Sequence, residues 1–292
     1  MASDKIINGL SVDVEEWFQV GAFEKVIERN DWDGHAPRVE ANCDRILALF
    51  DDAGVKATFF TLGWVAERHP AMMRRIADQG HEIASHGWDH ARVFTLGAKA
   101  FAEDLARARD VIEQTSGRAV KGYRAPSFSI DQRTPWAFEV LAEQGYTYSS
   151  SVAPIRHDHY GWREAPRFAF HPIAGSSLIE VPVTTAEFAG KRLAAGGGGF
   201  FRVLPYAFTR WAISQVNNRD LRPAVFYFHP WEVDPDQPRV ANAPMKSMLR
   251  HYTGLDAMAD KLRVLVREFA WGRMDEVVVR EAARIETPRL AA

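Results

Sequence analysis

Two imidazoles and two carboxylates sit at spacings that could assemble a hydrolytic metal centre. His86 and His90 bound the segment HGWDH, and imidazoles at i and i+4 face one point in space if the segment is a helical turn. Asp13 and Glu15 lie two apart in SVDVEEWF, so on a strand both side chains project to one side. Two neutral imidazoles and one carboxylate leave open positions on a divalent ion, as a hydrolytic site requires. One acid would coordinate the ion while the other takes a proton from bound water. A metal moves the pKa of such a water from about 15.7 towards about 7. The ligand types favour Zn2+, and nitrogen and oxygen donors also suit Co2+, Ni2+ or Mn2+.

Each signal alone has an ordinary reading. An H-x-x-x-H spacing is often structural, and a carboxylate pair is often a solvated turn. Arg124 before Ala125-Pro126 could serve a loop salt bridge, and His229 could be a satisfied core histidine. Position along the chain separates the readings. Apolar, β-branched runs predict strands at Ile6–Val14, Lys56–Leu62, Glu82–Ser85, Tyr146–Ser150, Leu178–Val183 and Ala224–Phe228, with another beginning at Gly122–Arg124. Amphipathic runs predict helices at Val39–Phe50, Ala66–Gln79, Leu96–Ser116, Gln132–Gln144, Tyr206–Asn217 and Asp256–Phe269. Repeated strand-then-helix units, several ended by glycine, argue for a parallel sheet. Asp13-Val14-Glu15-Glu16, His86 to His90, Arg124 and His229-Pro230-Trp231-Glu232 each fall where a predicted strand ends. In α/β barrels catalytic groups come from the C-terminal ends of several strands. Four weak motifs in order, each at a strand end, are hard to explain as surface decoration.

Composition narrows the function classes. A chain of 292 residues with 47% hydrophobic and 25% charged residues can bury a sizeable core. The formal net charge of -2 gives no electrostatic case for nucleic acid or an anionic membrane surface. Cys43 is the only cysteine, so no intrachain disulfide or Cys-based zinc motif is expected. No apolar stretch approaches the roughly 20 residues of a membrane span, and the first residues lack a secretory pattern. The expectation is a cytoplasmic single domain over 1–292 with a C-terminal helical extension from about 245, the tail after about Arg280 being left open. Gly196–Gly199 reads as a flexible loop.

The motifs together resemble the polysaccharide deacetylases of carbohydrate esterase family four, the NodB-homology group. SVDVEEWF matches that family's acidic motif, HGWDH its histidine pair, RAPSF its Arg-x-Pro motif and FYFHPWE its late histidine. GGGGFFRVLPY, FYFHPWEVDPDQPR and LRHYTGLDAMADKL resemble the branch found in bacterial exopolysaccharide and exosortase (PEP-CTERM) loci. The resemblance implies a distorted (β/α) barrel with about seven parallel strands and hydrolysis of N-acetyl groups on a saccharide. It implies Asp13 as general base, His86 and His90 as metal ligands, Arg124 as the group holding Asp13, and His229 as the acid for the leaving amine.

Three positions depart from the family pattern. Many members have two adjacent aspartates, whereas Val14 follows Asp13, so the third ligand becomes Glu15, with Glu16 the second candidate. Ser127, with Phe128 next, stands where an aromatic commonly follows the proline, although a backbone N–H there would still serve an oxyanion. Ser149 in YSSSV replaces an expected acid. Trp17, Phe18, Trp88, Trp162 and Trp231 are expected to offer flat apolar surface to sugar rings, and Pro126, Ser127 and Phe128 are expected to be substrate-binding as well. His157, His159 and Tyr160 are further cleft candidates. Two other readings compete: an amidase on a small C–N substrate, and a sugar-binding relic that keeps the barrel without catalysis.

Overall fold

A computed structural model describes residues 5–156 and 161–285. In its first half the chain runs β1 (Asn8–Val14), α1 (Val39–Ala53), β2 (Thr58–Thr61), α2 (Gly63–Arg68), α3 (Pro70–Asp78), β3 (Glu82–Ser85), α4 (Ala98–Ser116), β4 (Gly122–Tyr123), α5 (Trp136–Glu143) and β5 (Tyr148–Ser149). The second half adds β6 (Ile179–Glu180), β7 (Thr185–Phe188), β8 (Lys191–Ala194), α6 (Gly198–Val203), α7 (Tyr206–Asn218) and β9 (Val225–Phe228). It ends with α8 (Met245–Tyr252), α9 (Leu255–Glu268), β10 (Trp271–Gly272) and α10 (Met274–Ile285).

The main sheet is wholly parallel, in the order β10-β1-β2-β3-β4-β5-β6 with β9 also on β1. The short β10 meets only Asn8 and Gly9, and β2 takes over from Ser11 onwards, so the two share one edge of β1. The curled path is therefore seven strands from β9 to β6, in agreement with a distorted NodB-type barrel. It stays open as a regular ladder. Its ends meet through Thr184, whose N–H donates to Val225 O at 3.3 Å.

Burial explains why these segments choose their elements. All seven residues of β1 are buried on both faces, as a central parallel strand requires. In α1 the buried Val39, Cys43, Ile46, Leu47 and Phe50 recur at helical spacing and face the main core. Cys43 is a free, buried thiol there.

Two expectations about local structure are corrected. The predicted helix Ala66–Gln79 is two helices, because Pro70 disfavours helical backbone at the residue before it and His69 sits at φ −127°, ψ 53°. Gly196–Gly198 is packed and leads into α6, while Gly199 is exposed. A Cβ at Gly198 would collide with the Glu232 carboxylate and one at Gly197 would lie 2.8 Å from Tyr227 Oη. The segment from 245 is helical except for β10, and through β10 and α10 it packs against β1. No helix among the described residues is long and apolar enough to cross a membrane.

Candidate active site

The C-terminal ends of β1, β3, β4 and β9 deliver the charged residues to one rim. Glu15, His86 and His90 each present a donor atom, all within 4.8 Å of one another. His86 N–H donates to Thr61 O (2.9 Å), which extends the β3 pairing by one residue and aims the imidazole inward. Its Nδ1 lies 2.8 Å from Arg124 O. A carbonyl only accepts, so Nδ1 carries the hydrogen and Nε2 keeps its lone pair. Burial pushes His86 down to about 4, so the ring is neutral at physiological pH.

The histidine pair converges without a helix. Gly87 and His90 both adopt left-handed backbone, at φ 79° and 63°, and bend the segment so that its two rings meet with centroids 5.5 Å apart. Asp104 on α4 braces this bend, accepting Trp88 N–H at 3.2 Å. The i, i+4 spacing was thus informative for a reason other than helical geometry.

Glu15 is held from several sides. Its Oε2 lies 2.9 Å from His90 Nε2, and its Oε1 accepts Trp231 Nε1–H at 3.1 Å and lies 3.7 Å from His229 Nε2. Burial raises its proton affinity, but His90, His229 and His86 more than offset this and hold the carboxyl well below the usual range. His86 Nε2 is buried without a hydrogen-bond partner, and the buried Glu15 Oε2 faces the His90 ring alone. Orphaned acceptors of this kind are costly unless a cation fills the space between them. The donor set, two imidazole nitrogens and a carboxylate, fits a divalent metal. Glu16 turns away: it accepts the N–H groups of Arg38 and Val39 and so caps the start of α1.

On one flank, Asp13 Oδ1 accepts from Arg124 Nη1 at 2.6 Å, with both groups buried. Arg124 is locked by Ser11 Oγ (2.7 Å), Ser150 O (3.0 Å) and Ser150 Oγ (2.9 Å). One strand over from Ser149 there is a buried carboxylate. Glu180 is in register with Ser149 and accepts the N–H groups of Ser151 and Val152, both at 2.9 Å. Burial pushes Glu180 up to about 7 against those hydrogen bonds and the nearby Arg124 charge.

On the other flank, His229 Nδ1 lies 3.1 Å from Glu232 Oε2, and Glu232 Oε1 accepts from Arg202 Nε at 2.6 Å. Arg202 is anchored by the carbonyls of Arg250, His251 and Thr253. Burial would push His229 down, yet Glu15, Glu232 and Asp13 prevail and raise it to about 9. Glu232 itself is lowered to about 2, its burial outweighed by Arg202 and His229. Sequence reasoning missed Arg202. Glu232 was visible in HPWE, where its side chain accepts the N–H of His229 three residues back, a capping-box spacing.

The aromatic expectations need correction. Trp88 is 8% exposed, belongs to the main core and lies under the Arg107 guanidinium, 3.4 Å from its centroid. Trp17 is 4% exposed and donates Nε1–H to Ala36 O. Trp231 is stacked on His229 and His251, with centroids at 5.1 and 4.2 Å, so it holds the site from behind. Buried rings offer no free face to a sugar. Pro126 and Phe128 are also buried, and Phe128 meets Tyr227 edge-on at 4.8 Å. Ser127 is half-buried at φ 54° beside the site, and Trp162 is half-buried against the main core. His157, His159 and Tyr160 lie outside the described residues.

Comparison with known proteins adds to this geometry. The polysaccharide deacetylase family model matches residues 32–149, and a model described as a domain of unknown function (DUF3473) matches 150–279. A peptidoglycan deacetylase of Helicobacter pylori is 31% identical over 113 residues, 39% of this chain and 38% of that protein. The chain spans less than half the length of such curated relatives. A solved Mycobacterium smegmatis structure described as a polysaccharide deacetylase has a TM-score of 0.64 at 20% identity, covering 100% of this chain and 96% of the other. PuuE allantoinase gives 0.63 at 13% identity, covering 97% and 92%, a likeness of fold. A curled parallel sheet with an acid and two imidazoles on its C-terminal rim defines a NodB-type barrel. Over residues 32–149 the chain is similar to the polysaccharide deacetylase family, and over its whole length it shares the fold of the solved Mycobacterium smegmatis structure.

Proposed function

We propose that the chain hydrolyses the N-acetyl group of an amino sugar within a poly- or oligosaccharide. The observation that carries this reading is the convergence of three donor atoms, Glu15, His86 and His90, between a buried Asp13–Arg124 pair and a half-buried His229 backed by the buried Glu232. Glu15, His86 and His90 would hold the divalent ion, zinc by preference. When bound, the ion supplies Lewis-acid polarisation of the acetyl carbonyl and a lowered pKa for water.

The chain's own residues then divide the proton work. Arg124 occupies Asp13 Oδ1, which leaves Oδ2 to accept the proton of the attacking water. His229 is the complementary group. Held protonated by Glu232, it donates from Nε2 to the sugar nitrogen, so that a neutral amine departs. The half-buried turn at Ser127 supports a backbone contribution to oxyanion binding. The products are acetate and a glucosamine-type residue. A place in cytoplasmic exopolysaccharide assembly is supported by the resemblance of the segments at 196–206, 226–239 and 249–262.

The test is acetate release from N-acetylglucosamine oligomers by wild type and His86→Ala, after chelation and with zinc added back. Release that requires both zinc and His86 is expected, with loss in the variant of about 10⁴-fold or more, at least the upper end of acid–base effects. Oligosaccharide binding without any acetate release would favour the sugar-binding relic. Release from a small non-sugar amide alone would favour the amidase.

A further inference from the structure

Trp231 has no face free for a sugar, and its one polar atom is directed at a metal ligand. The indole Nε1–H donates to Glu15 Oε1 at 3.1 Å, and among the described residues it is the one hydrogen-bond donor to that oxygen. His229 Nε2, at 3.7 Å from Oε1, lies beyond hydrogen-bond length. The other oxygen, Oε2, points to the imidazoles, 2.9 Å from His90 Nε2. The two oxygens of one carboxylate therefore have different neighbours.

The indole is held so that it cannot turn away from Glu15. One face lies on the His229 ring, with planes 16° apart, and the other on the His251 ring, with planes 17° apart. Gln237 closes this stack. Its Nε2 donates to Trp231 O at 2.8 Å, and its Oε1 lies 2.6 Å from His251 Nε2. An amide oxygen only accepts, so that imidazole nitrogen carries the hydrogen. Arg202 Nη1 donates to the His251 carbonyl at 2.9 Å and fixes the far side. Stacking between two imidazoles would be served equally by phenylalanine. The N–H aimed at Oε1 would not.

A carboxylate can hold a cation through one oxygen or through both. Binding through both would use a coordination position that a hydrolytic centre keeps open. Outer partners orient ligating side chains, and their loss typically costs about 10–100-fold in metal affinity or activity. Resting on the metal-dependent deacetylase reading, we propose that Trp231 is a positioning residue for Glu15: its indole N–H reserves Oε1, so that Glu15 offers Oε2 alone to the cation.

Crystal structures of the zinc-loaded protein and zinc affinities from chelator competition would be compared for wild type, Trp231→Phe and His251→Phe. Wild type should hold one zinc with a single Glu15 oxygen. Trp231→Phe keeps a ring in the stack without its N–H, so Glu15 should turn both oxygens to the zinc and zinc affinity should fall by about 10–100-fold. His251→Phe keeps the N–H contact and should retain the wild-type coordination and affinity within about twofold, well inside the loss expected of an outer partner. Unchanged coordination and affinity in Trp231→Phe would overturn the proposal, as would equal changes in both variants, which would mark the stack as packing only. Should Trp231→Phe fail to fold, the wild-type structure decides: two Glu15 oxygens on zinc refute the role, and one supports it. A wild type that binds no zinc sinks this inference and the metal-dependent reading together. The expected coordination without any acetate release would sink deacetylation alone and leave the role of Trp231 standing.

Discussion

Two buried guanidinium–carboxylate pairs flank the ligand cluster, and both are 2.6 Å long: Arg124 with Asp13, and Arg202 with Glu232. They present opposite ends to the site. In the first, the carboxylate faces the cluster and the arginine stands behind it, tied to Ser11 and Ser150. In the second, the carboxylate is the middle member, with His229 in front and Arg202 behind. One pair therefore offers a negative acceptor and the other a protonated imidazole donor. The same ion pair, turned by one residue, produces opposite proton chemistry. Neither pair is evidence of extra stability, because desolvation offsets most of the Coulomb attraction of buried charges.

The comparison is broken most severely at its acceptor end. Asp13→Asn keeps the contact to Arg124 through the amide oxygen but removes the base, so kcat should fall by about 10²–10⁴-fold. Stoichiometric zinc should remain, as measured by elemental analysis. Loss of zinc together with activity would move Asp13 into the ligand set.

A smaller effect is expected at the donor end. Glu232→Gln leaves His229 in place but removes one of the charges that hold it at about 9. Its pKa should fall, so the protonated form is lost earlier and the alkaline limb of the pH–rate profile moves to lower pH. At neutral pH kcat should drop by about tenfold, less than loss of the acid itself. An unmoved alkaline limb would detach Glu232 from His229.

The smallest effect concerns Glu180, which sits behind the acceptor pair. Its folded pKa is raised from 4.5 to about 7, so the folded state keeps a proton that the unfolded chain has released between those values. Stability from this group is present below about 4.5 and is lost as pH rises through about 7. Glu180→Gln should flatten that part of the stability–pH curve and stabilise the protein at pH 8 relative to wild type. Denaturant titrations at pH 5 and pH 8 would show it, and an identical pH dependence in both proteins would refute it.

The parallel α/β class, the positions of β1, β2, β3 and β9, and the Glu15, His86 and His90 donors were legible in the chain. β1 (NGLSVDV) alternates Leu10, Val12 and Val14 with small or polar residues, β2 (TFFT) is β-branched and aromatic, and β9 (VFYF) is apolar, with all of these residues but Tyr227 buried. Local pattern suffices for such features because strand burial and strand-end polarity are written in consecutive residues. The aromatic roles were not legible. Trp88 and Trp231 sit in motif loops, but whether an indole faces a cleft or a core depends on what packs against it from elsewhere, here Arg107, His229 and His251.

The sequence by itself determined the inventory of the site: which acids, imidazoles and arginines stand at strand ends, and in what order. Only the tertiary structure decided their pairing. Arg124 reaches Asp13 across 111 positions of chain, and Arg202 reaches Glu232 across 30. It also decided that the buried Glu180 on β6 lies opposite Ser149, and that left-handed Gly87 and His90 bring two imidazoles to one point. The reason is physical. Backbone periodicity is local and repeats along the chain, whereas proton affinity is set by burial and by charges within a few ångströms in space, which sequence separation does not encode.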